Sequence, residues 1–295
     1  MTPLPRWLGI AMLLGIAVTF SLNHIAARVA FDHGVNVVTG VAFRSGGTAL
    51  ALFALLLVLR VPLALSPSTR RRAFAIGIVV AVQSTFIYAA VARLPVALAL
   101  LTFNTYPLLY ALMAWASGME RPSRSTFAAM LVALFGLALA LDVTRGGGDL
   151  AARWDEIGAG VAFATGASLS FALVLFLNAR WLHGVDGRVR SFFTMSSCSA
   201  AAIAAAAATG VALPDDGMGW LGLILLTVFY GSAITALFVL QPHMRSTSDV
   251  AVLNFEPVAL LFLGWVILGQ SLSPLQIAGA LVVIGSVVAL GMAKR

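Results

Sequence analysis

One carboxylate lies well inside an apolar stretch of the chain, which makes it the side chain best placed to do chemistry. Of the eleven Asp and Glu residues, ten fall at the ends of such stretches or between them. Glu256 alone is about six residues, or roughly 9 Å, inside one. Pro257 follows it, and this proline leaves the carbonyl of Leu253 without its helical partner. A carboxylate beside a free carbonyl attracts a cation, which would be an ammonium group, a proton or Na⁺; the alternative is a structural glutamate, neutralised by protonation or paired with an arginine.

The same pattern occurs 150 residues earlier in the chain. Residues 103–107 (Phe-Asn-Thr-Tyr-Pro) align with residues 253–257 (Leu-Asn-Phe-Glu-Pro), so Asn104 and Asn254 each stand three residues before a proline. Pro107 and Pro257 are therefore predicted to break two related helices. At this offset or close to it, further matches are Trp115 with Trp265, Glu120 with Gln270, Gly9 with Gly160, Gly15 with Gly166, and Phe20 with Phe171. We interpret the chain as two homologous halves, 1–145 and 146–295; the alternative is chance similarity between Leu/Ala-rich segments.

Other polar side chains also interrupt the apolar stretches, where each needs a partner or a cavity. Arg44 is predicted either to pair within the protein or to hold a substrate carboxylate, and His24 either titrates or is a hydrogen-bonded structural residue. Single Ser and Thr residues most often join helices, and Tyr often anchors a helix at the membrane surface. Tyr106 and Tyr230 are nearer mid-span, which weakens that explanation for them. The candidate substrate-binding residues are Asn23, His24, Arg44, Gln83, Tyr88, Asn104, Tyr106, Ser168, Tyr230, Asn254 and Glu256.

Membrane-spanning helices must position these residues. The chain is 61% hydrophobic and 10% charged, whereas soluble domains are about 45–50% apolar and about 25% charged. A helix crosses the bilayer core in about 20 residues. Ten stretches qualify: 7–30, 36–59, 73–92, 95–117, 125–141, 157–179, 191–210, 218–240, 250–269 and 274–292. We therefore predict an all-α multi-pass membrane protein with ten transmembrane helices.

The basic residues predict how the chain is oriented. If the N-terminus is cytoplasmic, thirteen Arg and Lys residues lie on the cytoplasmic side and three lie outside, which is the asymmetry expected of membrane proteins. The thirteen, all expected in loops or at the termini, are Arg6, Arg60, Arg70, Arg71, Arg72, Arg121, Arg124, Arg180, Arg188, Arg190, Arg245, Lys294 and Arg295. Both termini are therefore predicted to be cytoplasmic. Five spans in each half is an odd number, so the second half must be inverted relative to the first. Inverted repeats with a binding site at the membrane midplane are typical of secondary transporters that work by alternating access.

Several classes of protein are disfavoured. The high isoelectric point, about 10.7, is explained by the cytoplasmic loops and does not indicate nucleic-acid binding. The single cysteine, Cys198, allows no internal disulfide and no cysteine cluster for zinc. The chain contains no phosphate-binding loop, no His-Glu-x-x-His and no Gly-x-Ser-x-Gly motif, so we predict neither an enzyme nor a cofactor. A channel could share the repeat and stays an alternative.

The segments that carry a family resemblance run along nearly the whole chain. They are residues 20–28, Arg44, Gly118-Met119-Glu120, Pro122, residues 254–258, Gly264-Trp265, Gly269-Gln270, residues 275–280 and Gly285. On these residues the chain resembles the drug/metabolite transporter superfamily, specifically its ten-helix EamA-type members. It departs at Gln270, where a Glu is usual, and at His24, where an apolar or aromatic residue is usual.

The resemblance implies a carrier in a bacterial-type inner membrane that exports amino acids, other metabolites or drugs through a central cavity. Tyr88, Tyr106 and Tyr230 could stack on a ring, which favours the aromatic amino-acid exporter branch (YddG-like). The alternative is a broad-specificity efflux carrier for drugs or cations. The expected partners are a small-molecule substrate, the lipid bilayer and a coupling proton, with no nucleic acid and no obligatory protein partner.

Overall fold

The computed structural model describes residues 5–91, 93–94, 96–119, 121–141, 154–244, 246–268 and 272–292. Within these ranges the chain is helical and has no β-strand. The α-helices are α1 (Arg6–Asp32), α2 (Val37–Val58), α3 (Pro67–Val91), α4 (Val96–Phe103), α5 (Tyr106–Ala116), α6 (Arg124–Ala140), α7 (Trp154–Trp181), α8 (Gly187–Thr209), α9 (Gly217–Leu240), α10 (Glu256–Leu268) and α11 (Pro274–Met292). Two 3₁₀ segments, Gln241–His243 and Thr247–Phe255, lie between α9 and α10. Glu120, Gly269, Gln270 and Arg245 lie outside the described residues.

The helices are those of a multi-pass membrane protein. Seven helical stretches of the described chain are long and apolar enough to cross a bilayer: Trp7–Asp32, Val37–Val58, Pro67–Ala90, Gly158–Trp181, Gly187–Thr209, Gly217–His243 and Asp249–Val266. Two shorter apolar helices, Arg124–Ala140 and Pro274–Ala289, correspond to the predicted fifth and tenth spans. The short helices α4 and α5 together occupy the predicted fourth span.

Side-chain caps determine where several helices begin. Backbone N–H groups in a first helical turn lack intrahelical acceptors, and an Asn, Ser or Asp just before the helix can accept from one of them. The caps are Asn36 for α2, Ser123 for α6, Asp186 for α8, Asp216 for α9 and Ser273 for α11. Because of its cap, α8 begins at Gly187 rather than at residue 191 as predicted, and Arg190 therefore lies inside the helix. Similarly, α3 begins at Pro67 rather than at residue 73, since proline is tolerated in a first turn.

Two spans are interrupted at equivalent positions. Helix α4 ends at Phe103, and α5 begins at Tyr106 after two intervening residues. In the ninth span, the 3₁₀ segment ends at Phe255, and α10 begins at Glu256. Each proline is the second residue of the new helix, where its missing N–H leaves no hydrogen bond unmade. The interruptions thus make Tyr106 and Glu256 the first residues of their helices.

By its internal packing the chain divides into two compact units. Unit 1 comprises Leu22–Thr85 and Val174–His243, and unit 2 comprises Thr2–Ser21, Phe86–Leu173 and Met244–Arg295. The boundaries between these ranges fall within α1, α3 and α7 and just after α9.

Unit 1 is built on small residues that let helices approach closely. Helix α2 packs against α8 and α9. A Cβ atom on Gly222 of α9 would lie 2.7 Å from the backbone nitrogen of Ala30 in α1, so only glycine fits there. Cys198 is buried, and the Ser45 hydroxyl donates to its sulfur at 3.3 Å, which agrees with a packing role for this cysteine.

Unit 2 is packed in the same way. Helix α11 lies on α6, where a Cβ atom on Gly279 would come within 2.6 Å of the Gly136 carbonyl oxygen. Helix α5 packs on the 3₁₀ segment Thr247–Phe255 and shares with it a small apolar cluster of Ala111, Met130 and Ala251. These contacts fix the two interrupted spans to each other within unit 2.

Matched glycines of the two halves do not have matched surroundings. Cβ atoms on Gly160 and Gly166 would collide with Leu94 and Phe86, at 2.6 and 2.7 Å. Their counterparts Gly9 and Gly15 have open space around them. Equal spacing in the sequence therefore does not give equal packing.

Candidate functional site

A buried arginine in unit 1 is held by an aromatic ring and a hydroxyl group. Arg44 of α2 is 5% exposed, and its Nη2 donates a hydrogen bond of 2.7 Å to Ser84 Oγ in α3. Its guanidinium carbon lies 3.8 Å from the centroid of the Tyr230 ring in α9, which is a close cation–π contact. We call Arg44, Ser84 and Tyr230 the arginine cluster. An arginine keeps its charge when buried and has five N–H donors, so this cluster offers a desolvated anion-binding group.

The local packing explains how Tyr230 reaches Arg44. Gly231 follows Tyr230, and a side chain at this position would collide with Thr48 of α2. The Thr48 hydroxyl in turn donates to the Arg44 carbonyl oxygen at 2.7 Å, and this bond holds the Thr48 side chain against the backbone of α2. The absence of a side chain at Gly231 lets α9 approach α2 closely enough for the ring to lie over the guanidinium.

A buried carboxylate lies at the interruption of the ninth span in unit 2. Glu256 is 7% exposed and is the first residue of α10. Helix N-termini carry partial positive charge, so this position favours a negative group. The Ser21 hydroxyl donates to the Glu256 backbone oxygen at 2.7 Å and also lies 2.9 Å from the Ala17 oxygen. Tyr106, 1% exposed, lies close enough to Glu256 for the carboxylate charge to act on its phenol group. We call Ser21, Tyr106 and Glu256 the carboxylate cluster.

The two related asparagines provide buried acceptors beside these interruptions. Asn104 and Asn254 are each 1% exposed. The Asn104 amide nitrogen donates to the Leu100 carbonyl oxygen at 2.9 Å, and this fixes the amide orientation because a carbonyl oxygen can only accept. Among the described residues, the Oδ1 atoms of Asn104 and Asn254 have no hydrogen-bond donor. Such buried acceptors are costly unless a water molecule, a ligand or an ion satisfies them.

Aromatic and hydroxyl contacts join α7 to the interruption of the fourth span. The Tyr106 and Phe171 rings meet edge to face with centroids 4.8 Å apart, and Phe103 lies 5.3 Å from Tyr106 and 5.8 Å from Phe171. Ser168 is fully buried and shares a hydrogen bond of 2.8 Å with Thr105. The structure thus gives Ser168 a partner inside the protein. This partner, Thr105, lies within the repeated motif 103–107 but is not one of the predicted binding residues.

The other predicted residues are more dispersed. Asn23, His24 and Gln83 belong to unit 1 and Tyr88 to unit 2; Asn23 and Gln83 are buried, whereas His24 and Tyr88 are half-buried. The Asn23 Oδ1 has no hydrogen-bond donor among the described residues. In the described part of the chain, no three His, Cys, Asp or Glu side chains come together as ligands for a metal ion.

Sequence reasoning assigned one buried residue to the wrong environment. Arg190 was counted among the cytoplasmic loop arginines, but it is 1% exposed within α8. The signal that would have found it is Asp186, a capping residue four positions earlier, which predicts a helix start at residue 187.

Comparisons with known proteins agree with this architecture. A model of the EamA-like transporter family matches the chain twice, over residues 7–141 and 158–292. A solved structure described only as the crystal structure of a protein superposes with a TM-score of 0.82 over 97% of both chains, at 18% sequence identity, which establishes a common fold. A search of curated proteins finds no match.

Proposed function

Since the chain belongs to the EamA-like transporter family, we propose that it is a secondary transporter that exports small amphipathic organic molecules. We assign it aromatic amino acids as the main substrate class, and alternating access without ATP as the mechanism. The membrane is a bacterial-type inner membrane. The observation that carries the proposal is the double match of one transporter family model to the two halves of the chain.

The membrane topology of this proposal has ten spans in two inverted repeats, 1–145 and 146–295, with both termini cytoplasmic. Ten crossings are accounted for by seven long apolar helices, two shorter ones and the interrupted pair α4 and α5, which together count as one. The distribution of Arg and Lys supports the orientation. Two matches to one family model support the repeat.

The arginine cluster is the group that we assign to the substrate carboxylate. A guanidinium binds a carboxylate through two parallel N–H···O bonds, and Tyr230 adds an aromatic surface beside it. The bond to Ser84 orients the planar guanidinium before any substrate arrives. An aromatic amino acid has both the anionic group and the ring that this cluster fits.

We assign the coupling proton to Glu256. A carboxylate inside a transmembrane segment is rare and marks an ion or proton pathway in many carriers. The buried oxygens of Asn104 and Asn254 add acceptors near the two interruptions. The same chemistry favours a second candidate function, efflux of cationic drugs, because acceptor oxygens and a carboxylate also attract an organic ammonium group.

A matched pair of ligands separates the two candidates. L-phenylalanine and phenethylamine share ring and ammonium group but differ in the carboxylate. Purified protein is heated with each ligand, since a ligand that binds only the folded state raises the melting temperature. Our proposal expects L-phenylalanine to stabilise the protein and phenethylamine not to do so. Stabilisation by phenethylamine alone would support cation efflux, and stabilisation by no amino acid would contradict our assignment.

A further inference from the structure

Arg190 is one of the largest fully buried side chains in the described chain, and it joins the ends of two helices. From the first turn of α8, its Nη2 donates to the Phe238 carbonyl oxygen in the last turn of α9. Its Nη1 lies 3.5 Å from the Asn178 carbonyl oxygen in the last turn of α7. Arg190 therefore lies at the start of α8, and its guanidinium contacts the C-terminal ends of α7 and α9.

Helix ends explain how this charge is tolerated. The last four carbonyls of a helix lack intrahelical donors, and each C-terminus carries about half a negative charge. Two such ends together offset about one positive charge. The nearby carboxylate of Asp186 is already committed to Arg188, with oxygen–nitrogen distances of 2.6 and 3.0 Å, and this bonding lowers the pKa of Asp186 from its ordinary value.

Neighbouring residues reinforce the same junction. Gln241, just after α9, donates from Nε2 to the Leu175 carbonyl oxygen of α7 at 2.8 Å. Gly187 opens α8 against α9, where a side chain would put its Cβ 2.6 Å from the Val239 Cα atom. Unit 1 contains all of these residues, and its boundaries at 173/174 and 243/244 lie within a few residues of the bonded groups.

The hydrogen bonding of this junction is incomplete in a way that points to a second arrangement. Among the described residues, Arg190 Nε has no acceptor and Asn178 Oδ1 has no donor. Both atoms are buried, and the Arg190 side chain already reaches the main-chain oxygen of Asn178. A change of rotamer would therefore move the guanidinium from the Phe238 oxygen to Asn178 Oδ1, so that α9 loses its hydrogen bond to Arg190 while α7 keeps one.

We propose that Arg190 is a two-position clamp. In one position it fastens α9 to α7 and α8; in the other it binds only α7, and the end of α9 is then held to α7 more loosely, by the Gln241–Leu175 hydrogen bond. The end of α9 leads along the chain into the 3₁₀ segment Thr247–Phe255, which directly precedes Glu256. The clamp needs no substrate to operate, so it can be tested whether or not the proposed substrate class is right.

Spin-label distances across the junction test the clamp in the full-length protein in lipid nanodiscs. Labels at His183→Cys and His243→Cys, in a Cys198→Ala background, report the separation of the ends of α7 and α9. We expect two distance populations. Asn178→Leu keeps the main-chain acceptor but removes Oδ1, so it should leave only the fastened population. Arg190→Gln should lose that population and broaden the distribution.

Arg180→Gln is the control, because Arg180 is an exposed arginine in the last turn of α7. It should show the same distances as the parent protein. A single population in the parent protein, or an Asn178→Leu variant identical to it, would overturn the two-position clamp. Unchanged distances in both Arg190→Gln and Arg190→Lys would show that Arg190 does not fasten α9.

Discussion

Replacing Arg44 with lysine tests the arginine cluster while keeping the positive charge. Lysine has a compact ammonium group on a flexible chain, so it cannot present the planar pair of donors that binds a carboxylate through two bonds. It would also lose the fixed arrangement that Ser84 and Tyr230 impose on the guanidinium, through the 2.7 Å hydrogen bond and the 3.8 Å ring contact. Long-range attraction for an anion would remain.

The expected loss of affinity follows from these contacts. A hydrogen bond to a charged group contributes about 1.5–3 kcal/mol. Losing one of the two bonds to the carboxylate should therefore weaken binding by about tenfold or more, since about 1.4 kcal/mol corresponds to a factor of ten. The maximal transport rate should change less, because the variant retains the charge that attracts the substrate.

Uptake of labelled L-phenylalanine into proteoliposomes measures both quantities. Arg28→Lys is the control, since Arg28 is exposed and paired with Asp32 at 2.7 Å. We expect KM to rise for Arg44→Lys and to stay constant for Arg28→Lys, with both proteins folded. A KM for Arg44→Lys within twofold of the parent value would refute the assignment. A lower melting temperature with unchanged KM would identify Arg44 as a structural lock.

Three further predictions concern coupling, packing and pH. Glu256→Gln should abolish the pH dependence of transport while the melting temperature stays constant; transport that keeps its pH profile would remove Glu256 from coupling. Gly279→Ala should destabilise the protein by about 1–3 kcal/mol, because its methyl group meets the backbone of α6, whereas Gly285→Ala on the same helix meets open space and should be tolerated. Hydrogen bonds from the Gly219 backbone and from His33 lower the pKa of Asp216, so its contribution to stability is present above about pH 4 and is lost as pH falls through the lowered pKa. The melting temperature of the parent protein should therefore fall more steeply below about pH 4 than that of Asp216→Asn, and equal slopes would contradict this reasoning.

The spans could be predicted because the bilayer imposes a simple requirement on the sequence. An apolar stretch of about 20 residues is enough to identify a crossing, and the pattern around Pro107 and Pro257 indicated where helices would be interrupted. The helix starts were less accurate, because capping residues such as Asp186 extend a helix beyond its apolar part. Arg190 was misassigned for this reason.

The partners of the polar residues could not be predicted from periodicity. Arg44 and Tyr230 are 186 positions apart, and their contact depends on Gly231 allowing α9 to approach α2. Ser168 is predicted to be a binding residue because it is polar and mid-span, but its hydrogen bond to Thr105 depends on how α7 packs on the interrupted fourth span and could not be predicted. Such contacts arise from tertiary packing, which a single sequence does not encode in any local pattern.

Counterflow of L-phenylalanine in proteoliposomes, without ATP or an ion gradient, tests the transport claim most directly. Vesicles loaded with unlabelled L-phenylalanine are diluted into a trace of labelled L-phenylalanine. A carrier exchanges the two, so we predict a transient accumulation of label above its equilibrium level. Entry of label no faster than into protein-free vesicles, for L-phenylalanine and for every other amino acid and drug tried, would contradict the account.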